Sequence, residues 1–286
     1  MDLSIDTLIQ QSGTPISLPE VFIQLNSLTQ DPNSTVADIA NIIESDIGLT
    51  TRLLQIVNSP FYGFPSNIDS ISRAVTIIGT KDLRDLVLTT TTIDLFSNMQ
   101  SKKQHIQQLW RHSLYCAVVS RILAENLHDQ NAERLFVSGL LHDIGLMILY
   151  QGIPETTHHS IQQARATGNS LASIEKTILG FTHTDVGFHL AKKWRLPENI
   201  TEVIQFHHTP GQANKYPVET AIVHIANTLT DKIDDENDLS IIQPTIGPDI
   251  WEVSGLDIKA IDNVLENAPE QLDNIYGLLF PKEQAA

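Results

Sequence analysis

Apolar residues along most of the chain recur at the three- and four-residue intervals of an amphipathic α-helix. One clear stripe is formed by Val36, Ile39, Ile43 and Ile47. Ser34 or Thr35 precedes this stripe and can cap the helix, and Gly79 closes a later helix as a C-terminal stop. The same spacing predicts helices over 36–47, 50–58, 69–79, 81–96, 107–127, 133–151, 160–168, 170–180, 183–195, 197–208 and 217–233.

Strand-type alternation is scarce, so the pattern predicts an all-α protein, a multi-helical bundle. Residues 1–100 form an N-terminal helical lobe and residues 101–235 a second lobe. An acidic run at 234–238 is interpreted as a solvated linker, and residues 236–286 as a C-terminal helical tail. Ten of the eleven histidines fall between positions 105 and 208, which places any polar centre in the second lobe.

Composition narrows the function classes. The chain has 286 residues, 41% of them hydrophobic, which is enough for a globular core. Its formal net charge of −16 repels phosphate groups, so we expect neither direct DNA binding nor membrane association. Cys116 is the single cysteine and lies in an apolar helical pattern, which indicates a packed core residue and a reducing compartment. With no signal-peptide pattern at the N-terminus, we expect a soluble, cytoplasmic protein.

Candidate chemistry centres on the stretch GLLHDIGLMILY at 139–150, where His142 and Asp143 interrupt an apolar run. An unpaired charge in such surroundings is costly, so a metal ion, a substrate or another polar side chain must satisfy the pair. Further candidates on neighbouring helices are His112, His183, His207 and His208. Imidazole and carboxylate ligands of this kind suit Fe, Mn or Zn, and a divalent ion would activate water for attack on a phosphoester. The alternative is a hydrogen bond between these groups that fixes helix packing.

The sequence resembles the HDOD domain, a bacterial signalling output module related to the HD superfamily of metal-dependent phosphohydrolases. The resemblance covers about 15–231. It is carried by NSPFYG, LWRHSLYCA, GLLHDIGLMIL, FTHTDVGFHLAKKWRLPENI and QFHHTP. It implies an all-helical fold with an N-terminal helical lobe and an HD-like lobe, and a role in bacterial signal transduction.

The resemblance also implies site residues. His112, His142 and Asp143 match the ligands of the first metal in the superfamily, with Asp143 as the catalytic candidate if the protein is active. His183, His207 and His208 match additional ligands of the HD-GYP branch, which hydrolyses cyclic dinucleotides.

Two departures from the pattern weaken the hydrolytic interpretation. Asn227 stands where the superfamily usually has an aspartate, and Asp231, one turn later, is a candidate replacement. Leu146 stands where the HD-GYP branch has a lysine, and Thr209 and Pro210 follow the histidine pair in place of the GYP signature. We therefore expect a mainly non-catalytic module that binds a signalling protein or a nucleotide second messenger. The alternative is a metal-dependent phosphohydrolase.

Overall fold

The structure, a computed structural model, describes residues 4–11, 18–97, 103–127, 132–233 and 246–280. These residues form helices and turns and contain no strand, which confirms the all-α class. The first helices are α1 (Ile5–Gln11), α2 (Glu20–Leu28), α3 (Val36–Glu44), α4 (Ile47–Val57), α5 (Ile71–Ile78) and α6 (Thr80–Ser97). The middle helices are α7 (Lys103–Asn126), α8 (Ala132–Leu141), α9 (Ile144–Gly152), α10 (Pro154–Thr167), α11 (Leu171–Leu179), α12 (His183–Lys193) and α13 (Glu198–Phe206). A short 3-10 helix (Pro210–Gln212) precedes α14 (Pro217–Ile233), α15 (Pro248–Ser254) and α16 (Ala260–Leu279).

The chain divides into two compact units. One consists of Met1–Ile16 and Met99–Ala268, and the other of Ser17–Asn98 and Pro269–Ala286. The division at 100/101 and 235/236 that the sequence suggests rests on the distribution of the histidines and on the acidic run, and it remains a prediction.

In the unit that contains α2 to α6, helix ends follow the capping residues of the sequence. The Thr35 side chain accepts a hydrogen bond from the Asp38 amide, and the Asp38 carboxylate accepts one from the Thr35 amide. Helix α3 ends at Glu44, earlier than expected, because Asp46 caps a new helix there. Gly79, at φ 96°, ends α5 as predicted.

The NSPFYG segment of this unit has a structural role. The Asn58 side chain donates to the Ile68 carbonyl at 2.8 Å and accepts from the Ile68 amide at 2.7 Å. Phe61 is buried, and its ring meets that of Tyr62 edge to face. The asparagine thus holds the two ends of the loop together while the aromatic residue packs beneath it.

The other unit contains the histidine-rich segment. Helix α7 packs against α8 and α14, α9 packs against α12, and α12 packs against α13. Gly145 on α9 makes the α9–α12 crossing close: a Cβ there would lie 2.0 Å from the His183 carbonyl oxygen and 2.5 Å from the Gly187 nitrogen. This contact between two backbones places the start of α9 beside the start of α12.

The predicted continuous helix over 133–151 is wrong in one respect: it is interrupted between α8 and α9, at His142 and Asp143. The His142 ring Nδ1 donates to the Gly139 carbonyl at 2.7 Å, the carbonyl that a continuing helix would bond to the Asp143 amide. Asp143 has φ −101° and ψ 18°, outside the helical range. The side chain thus competes with the backbone and ends α8.

The segment Ala132–Gly152 is long and apolar enough to cross a membrane by length and composition. Of its most apolar 18-residue stretch, 89% is buried inside the protein. That burial is typical of a core helix.

Candidate metal centre

The break between α8 and α9 lets two adjacent side chains face the same point. Neighbouring residues within a helix point about 100° apart, so one of the two would otherwise turn away. Outside the helix, His142 Nε2 lies 3.2 Å from Asp143 Oδ2. Both side chains are buried, His142 completely.

The same arrangement recurs at the end of α13. His207 follows the last residue of this helix, and its Nδ1 donates to the Ile204 carbonyl at 3.1 Å. As with His142, the acceptor lies three residues earlier in the chain, and the bond leaves Nε2 directed into the cluster. His224 on α14 supports this end of the helix, because its Nδ1 donates to the His207 carbonyl at 2.7 Å.

A third helix end lies at the cluster, because His183 is the first residue of α12. Thr182 and Asp185 form a capping box that starts this helix. His183 Nε2 lies 3.5 Å from Asp143 Oδ1 and 2.9 Å from His208 Nε2. Its Nδ1 donates to the carboxylate of Glu175 on α11 at 2.6 Å, so in the neutral ring Nε2 carries the lone pair.

Asp143 joins two groups of ligand atoms. Its Oδ1 faces the first group, where the nearest atoms are His207 Nε2 at 3.4 Å and His183 Nε2 at 3.5 Å. Its Oδ2 faces the second group, His142 and His112. Within each group the ligand atoms all lie within 4.8 Å of one another. We call the group of Asp143, His183, His207 and His208 the first centre. We call the group of His112, His142 and Asp143 the second centre.

The residues of the first centre fit a metal ion. Two ligand atoms bound at about 2.1 Å to a shared ion lie about 3.0 Å apart at a right angle and about 3.4 Å apart at the tetrahedral angle. Three separations within this centre are close to this range: His183–His208 at 2.9 Å, Asp143–His207 at 3.4 Å and Asp143–His183 at 3.5 Å. In addition, Asp143 Oδ1 and His207 Nε2 of this centre are buried and make no well-aligned hydrogen bond. Buried polar atoms are rarely left unpaired, and an ion would satisfy them.

The second centre is less complete. His112 lies on α7, and its Nε2 is 4.0 Å from Asp143 Oδ2 but 2.9 Å from Asn227 Oδ1. An amide oxygen only accepts hydrogen bonds, so the His112 nitrogen carries a proton in this contact. Asn227 therefore holds the very nitrogen that would face an ion. Asp231, the candidate replacement ligand, belongs to α14, but its side chain lies outside the described part of the chain.

Across both centres, burial and the charges of neighbouring groups shift the pKa values of the histidines in opposite directions. Burial, together with the nearby His142, lowers the pKa of His112 to about 4, and burial is also the main cause that lowers the pKa of His207 to about 4. Burial also acts to lower the pKa of His142 and His183, but it is outweighed. Asp143 raises the pKa of His142 well above its usual value, and Glu175 raises that of His183. Burial acts to raise the pKa of Asp143, yet the surrounding histidines hold it well below its usual range.

Sequence reasoning missed one residue of this site, Glu175. It is 1% exposed, and its carboxylate accepts hydrogen bonds from the His183 amide at 2.8 Å and from the His183 ring. A signal was present: Leu171, Ile174 and Ile178 form an apolar stripe on α11, and Glu175 occupies a position on that stripe. An acidic residue on a buried face needs a partner inside the protein.

Comparisons with known proteins agree with this architecture. An HDOD domain protein from Geobacter sulfurreducens is 24% identical, with 96% of this chain and 95% of that chain covered and a TM-score of 0.76. A protein from Shewanella amazonensis, described as a candidate phosphohydrolase, is 23% identical, with 95% of each chain covered and a TM-score of 0.68. At these identities the likeness shows a shared fold.

Two curated relatives are longer than this chain. An uncharacterized protein of Treponema pallidum is 28% identical over 222 residues, which are 77% of this chain and 42% of that protein. Ribonuclease Y of Aquifex aeolicus is 28% identical over 129 residues, which are 45% of this chain and 18% of the enzyme. The chain thus spans less than half the length of the relatives it matches.

The family is shown by a match over most of the chain. The pattern of the HDOD domain matches residues 16–210, which include all six clustered histidine and aspartate residues and Glu175, which supports His183. The chain belongs to the HDOD domain family.

Proposed function

We propose that this protein is a bacterial signalling module whose buried first centre binds a divalent metal ion without efficient turnover of a substrate. The observation that carries the proposal is the convergence of a carboxylate oxygen and three imidazole nitrogens, with buried atoms of Asp143 and His207 that make no well-aligned hydrogen bond. Metal ions that stabilise a protein are enclosed by ligands, whereas catalytic ions keep an open position for substrate. Three of the four ligands here are buried and His208 is half-buried, which favours the enclosed type.

Two ligands of the first centre are oriented by a second contact. Glu175 fixes His183, and the Ile204 carbonyl fixes His207. Such supporting contacts set the tautomer and direction of each ring before an ion arrives. When bound, the ion supplies positive charge beside the Asp143 carboxylate and a Lewis acid.

The rest of the site lacks groups that phosphoester hydrolysis needs. Leu146 is buried and apolar where the HD-GYP branch has a lysine, so it offers no cation to a phosphate. Asn227 is uncharged and is bonded to His112. Hydrolysis depends on stabilising the charge that develops in the transition state, so the loss of these two charged groups favours weak or absent turnover.

In this proposal, metal binding changes the stability of the unit that contains the cluster, and a binding partner responds to that change. An ion in the first centre ties the start of α9 to the start of α12 and the end of α13. The occupied and empty states would therefore differ in the stability of this unit, since a ligand that binds the folded state stabilises it. The proposed partners are a signalling protein or a nucleotide second messenger, in the cytoplasm.

A second candidate function is metal-dependent phosphoester hydrolysis. It is favoured by one observation: the two oxygens of Asp143 face two separate groups of histidines. Pairs of ions that share a ligand stabilise both the attacking and the leaving oxygen in many phosphatases.

One experiment separates these functions. The protein is stripped with a chelator, and Zn²⁺, Mn²⁺ or Fe²⁺ is added back while metal content, thermal stability and hydrolysis of nucleotides, cyclic dinucleotides and bis(p-nitrophenyl) phosphate are measured. We expect a bound ion, a raised Tm and no metal-dependent hydrolysis. Asp143→Ala should abolish the first two effects, whereas the exposed Asp262→Ala should retain them. Metal-dependent hydrolysis that disappears in Asp143→Ala would establish the second candidate.

A further inference from the structure

Glu175 is a second buried carboxylate at the edge of the cluster. One of its oxygens accepts two hydrogen bonds from His183, and the other makes no hydrogen bond. A carboxylate that is 1% exposed is costly to bury unless positive charge lies nearby. Glu175 contacts the first centre through the Nδ1 atom of His183, so an ion bound to His183 Nε2 would lie one imidazole ring away from the Glu175 carboxylate.

We propose that the cluster binds one divalent ion, at the first centre. We further propose that Glu175 is the second anion, after Asp143, that balances the charge of this ion. This inference rests on the proposed function, in that it assumes a metal ion binds to the cluster.

The first argument is the balance of charge. Asp143 and Glu175 together carry two negative charges in contact with the cluster, which equal the charge of one divalent ion. A second divalent ion would add two positive charges, and the described residues in contact with the cluster provide no further carboxylate to balance them, since Asn227 is uncharged. Uncompensated buried charge is strongly unfavourable, so charge balance favours a single ion.

The second argument is the number of available ligand atoms. The first centre offers four, from Asp143, His183, His207 and His208. The second centre offers three, and one of these, His112 Nε2, donates a hydrogen bond to Asn227. A ligand nitrogen must present a lone pair, so that bond would have to be broken before His112 could coordinate an ion. Fewer free ligands and missing charge both disfavour the second centre.

Glu175 acts in this proposal as a positioning residue that also contributes charge. Its hydrogen bond to Nδ1 fixes the His183 tautomer, and its charge lies on the far side of the ring from the ion. Glu175→Gln separates the two effects, because an amide oxygen can still accept the Nδ1 proton while the negative charge is removed.

The test measures stoichiometry and affinity of the metal-stripped full chain. Zn²⁺ binding is followed by calorimetry and metal analysis, and Mn²⁺ binding by electron paramagnetic resonance, which distinguishes an isolated ion from a magnetically coupled pair. The variants are Glu175→Gln, Asn227→Asp and, as a control, Glu198→Gln, which removes an exposed carboxylate paired with Lys215. Thermal unfolding without metal checks that each variant folds.

We expect one ion in the wild-type protein with the spectrum of isolated Mn²⁺. Glu175→Gln should bind one ion about 10–100-fold more weakly, which is the usual effect of losing such a supporting carboxylate. Glu198→Gln should bind like the wild type, and Asn227→Asp should bind a second ion and give the spectrum of a coupled pair.

Several results would overturn the inference. Two ions in the wild-type protein would refute it and leave the proposed function intact, whereas no ion would refute both. Wild-type affinity in Glu175→Gln would show that its charge has no role. If Glu175→Gln does not fold, the stoichiometries of the wild type and of Asn227→Asp still decide the number of ions.

Discussion

Replacement of Gly145 by alanine tests whether the close crossing of α9 and α12 builds the metal centre. The new Cβ would lie 2.0 Å from the His183 carbonyl oxygen, and ordinary contact begins at 3.4 Å. Both clashing groups are backbone, so no side chain can rotate away, and α12 must withdraw by about 1.4 Å. Overpacking of this kind costs about 1–3 kcal/mol of unfolding free energy.

The same displacement should also weaken metal binding. Coordination distances tolerate deviations of about 0.2 Å, so a shift of more than 1 Å between Asp143 and His183 removes at least one ligand. We expect Gly145→Ala to lose at least about tenfold in Zn²⁺ affinity. Urea unfolding and calorimetric titration of the metal-free protein measure the two effects.

Gly211→Ala is the matched control, because a Cβ there has nothing within 4 Å and the residue has no positive φ. It should retain wild-type stability and affinity. If Gly145→Ala also retained both, α9 and α12 would not meet as described, and the basis for placing Asp143 beside His183 would be lost.

Three further predictions follow from single contacts. Metal binding should release protons, because the pKa of His183 is raised in the metal-free protein and a ligand nitrogen must be deprotonated. Calorimetry in buffers of different ionisation enthalpy should show that this release declines as pH rises through the raised pKa. Thr182→Ala removes the cap of α12 and should lower the unfolding free energy by about 1 kcal/mol in urea titrations. Asn58→Ala removes both hydrogen bonds to Ile68 and should cost about 1–3 kcal/mol by the same measurement, without changing metal affinity.

Each of these predictions has a contradicting result. In the metal-free protein, the raised pKa values of His142 and His183 stabilise the fold below their unfolded value of 6.5, and this contribution is lost as pH rises through the folded values. Proton release that is zero near neutral pH would therefore contradict the assigned protonation. Thr177→Ala, at an exposed position of α11, is the control for Thr182→Ala and should change stability by less than about 0.5 kcal/mol. Loss of metal binding in Asn58→Ala would contradict a purely local role for that residue.

The sequence predicted the helical class and most helices because their apolar stripes are regular. It also identified the histidines and Asp143 as candidates, since polar residues in apolar runs need partners inside the protein. It did not predict the break at 142–143, because residues 133–151 are almost uniformly apolar and the competing bond to the Gly139 carbonyl depends on the orientation of one ring. Helical periodicity carries no information about such a bond.

The sequence also did not predict which residues contact each other across the site. Asn227 was recognised as a departure, but its bond to His112 joins residues 115 positions apart and depends on how α7 packs against α14. Glu175 was overlooked because one acidic residue on a stripe resembles a surface position at the end of a helix. The apolar helical context in the sequence also favours structural roles for His105, His128, His158, His159, His189 and His224; this stays a prediction, and His128 lies outside the described residues.

The most direct test of the account is a crystal structure of the protein grown with Zn²⁺, with diffraction data collected on both sides of the zinc absorption edge. The account predicts one anomalous peak, about 2.0–2.2 Å from Asp143 Oδ1 and from the Nε2 atoms of His183, His207 and His208. No peak in the cluster, or a peak held by His112 and His142 alone, would contradict it.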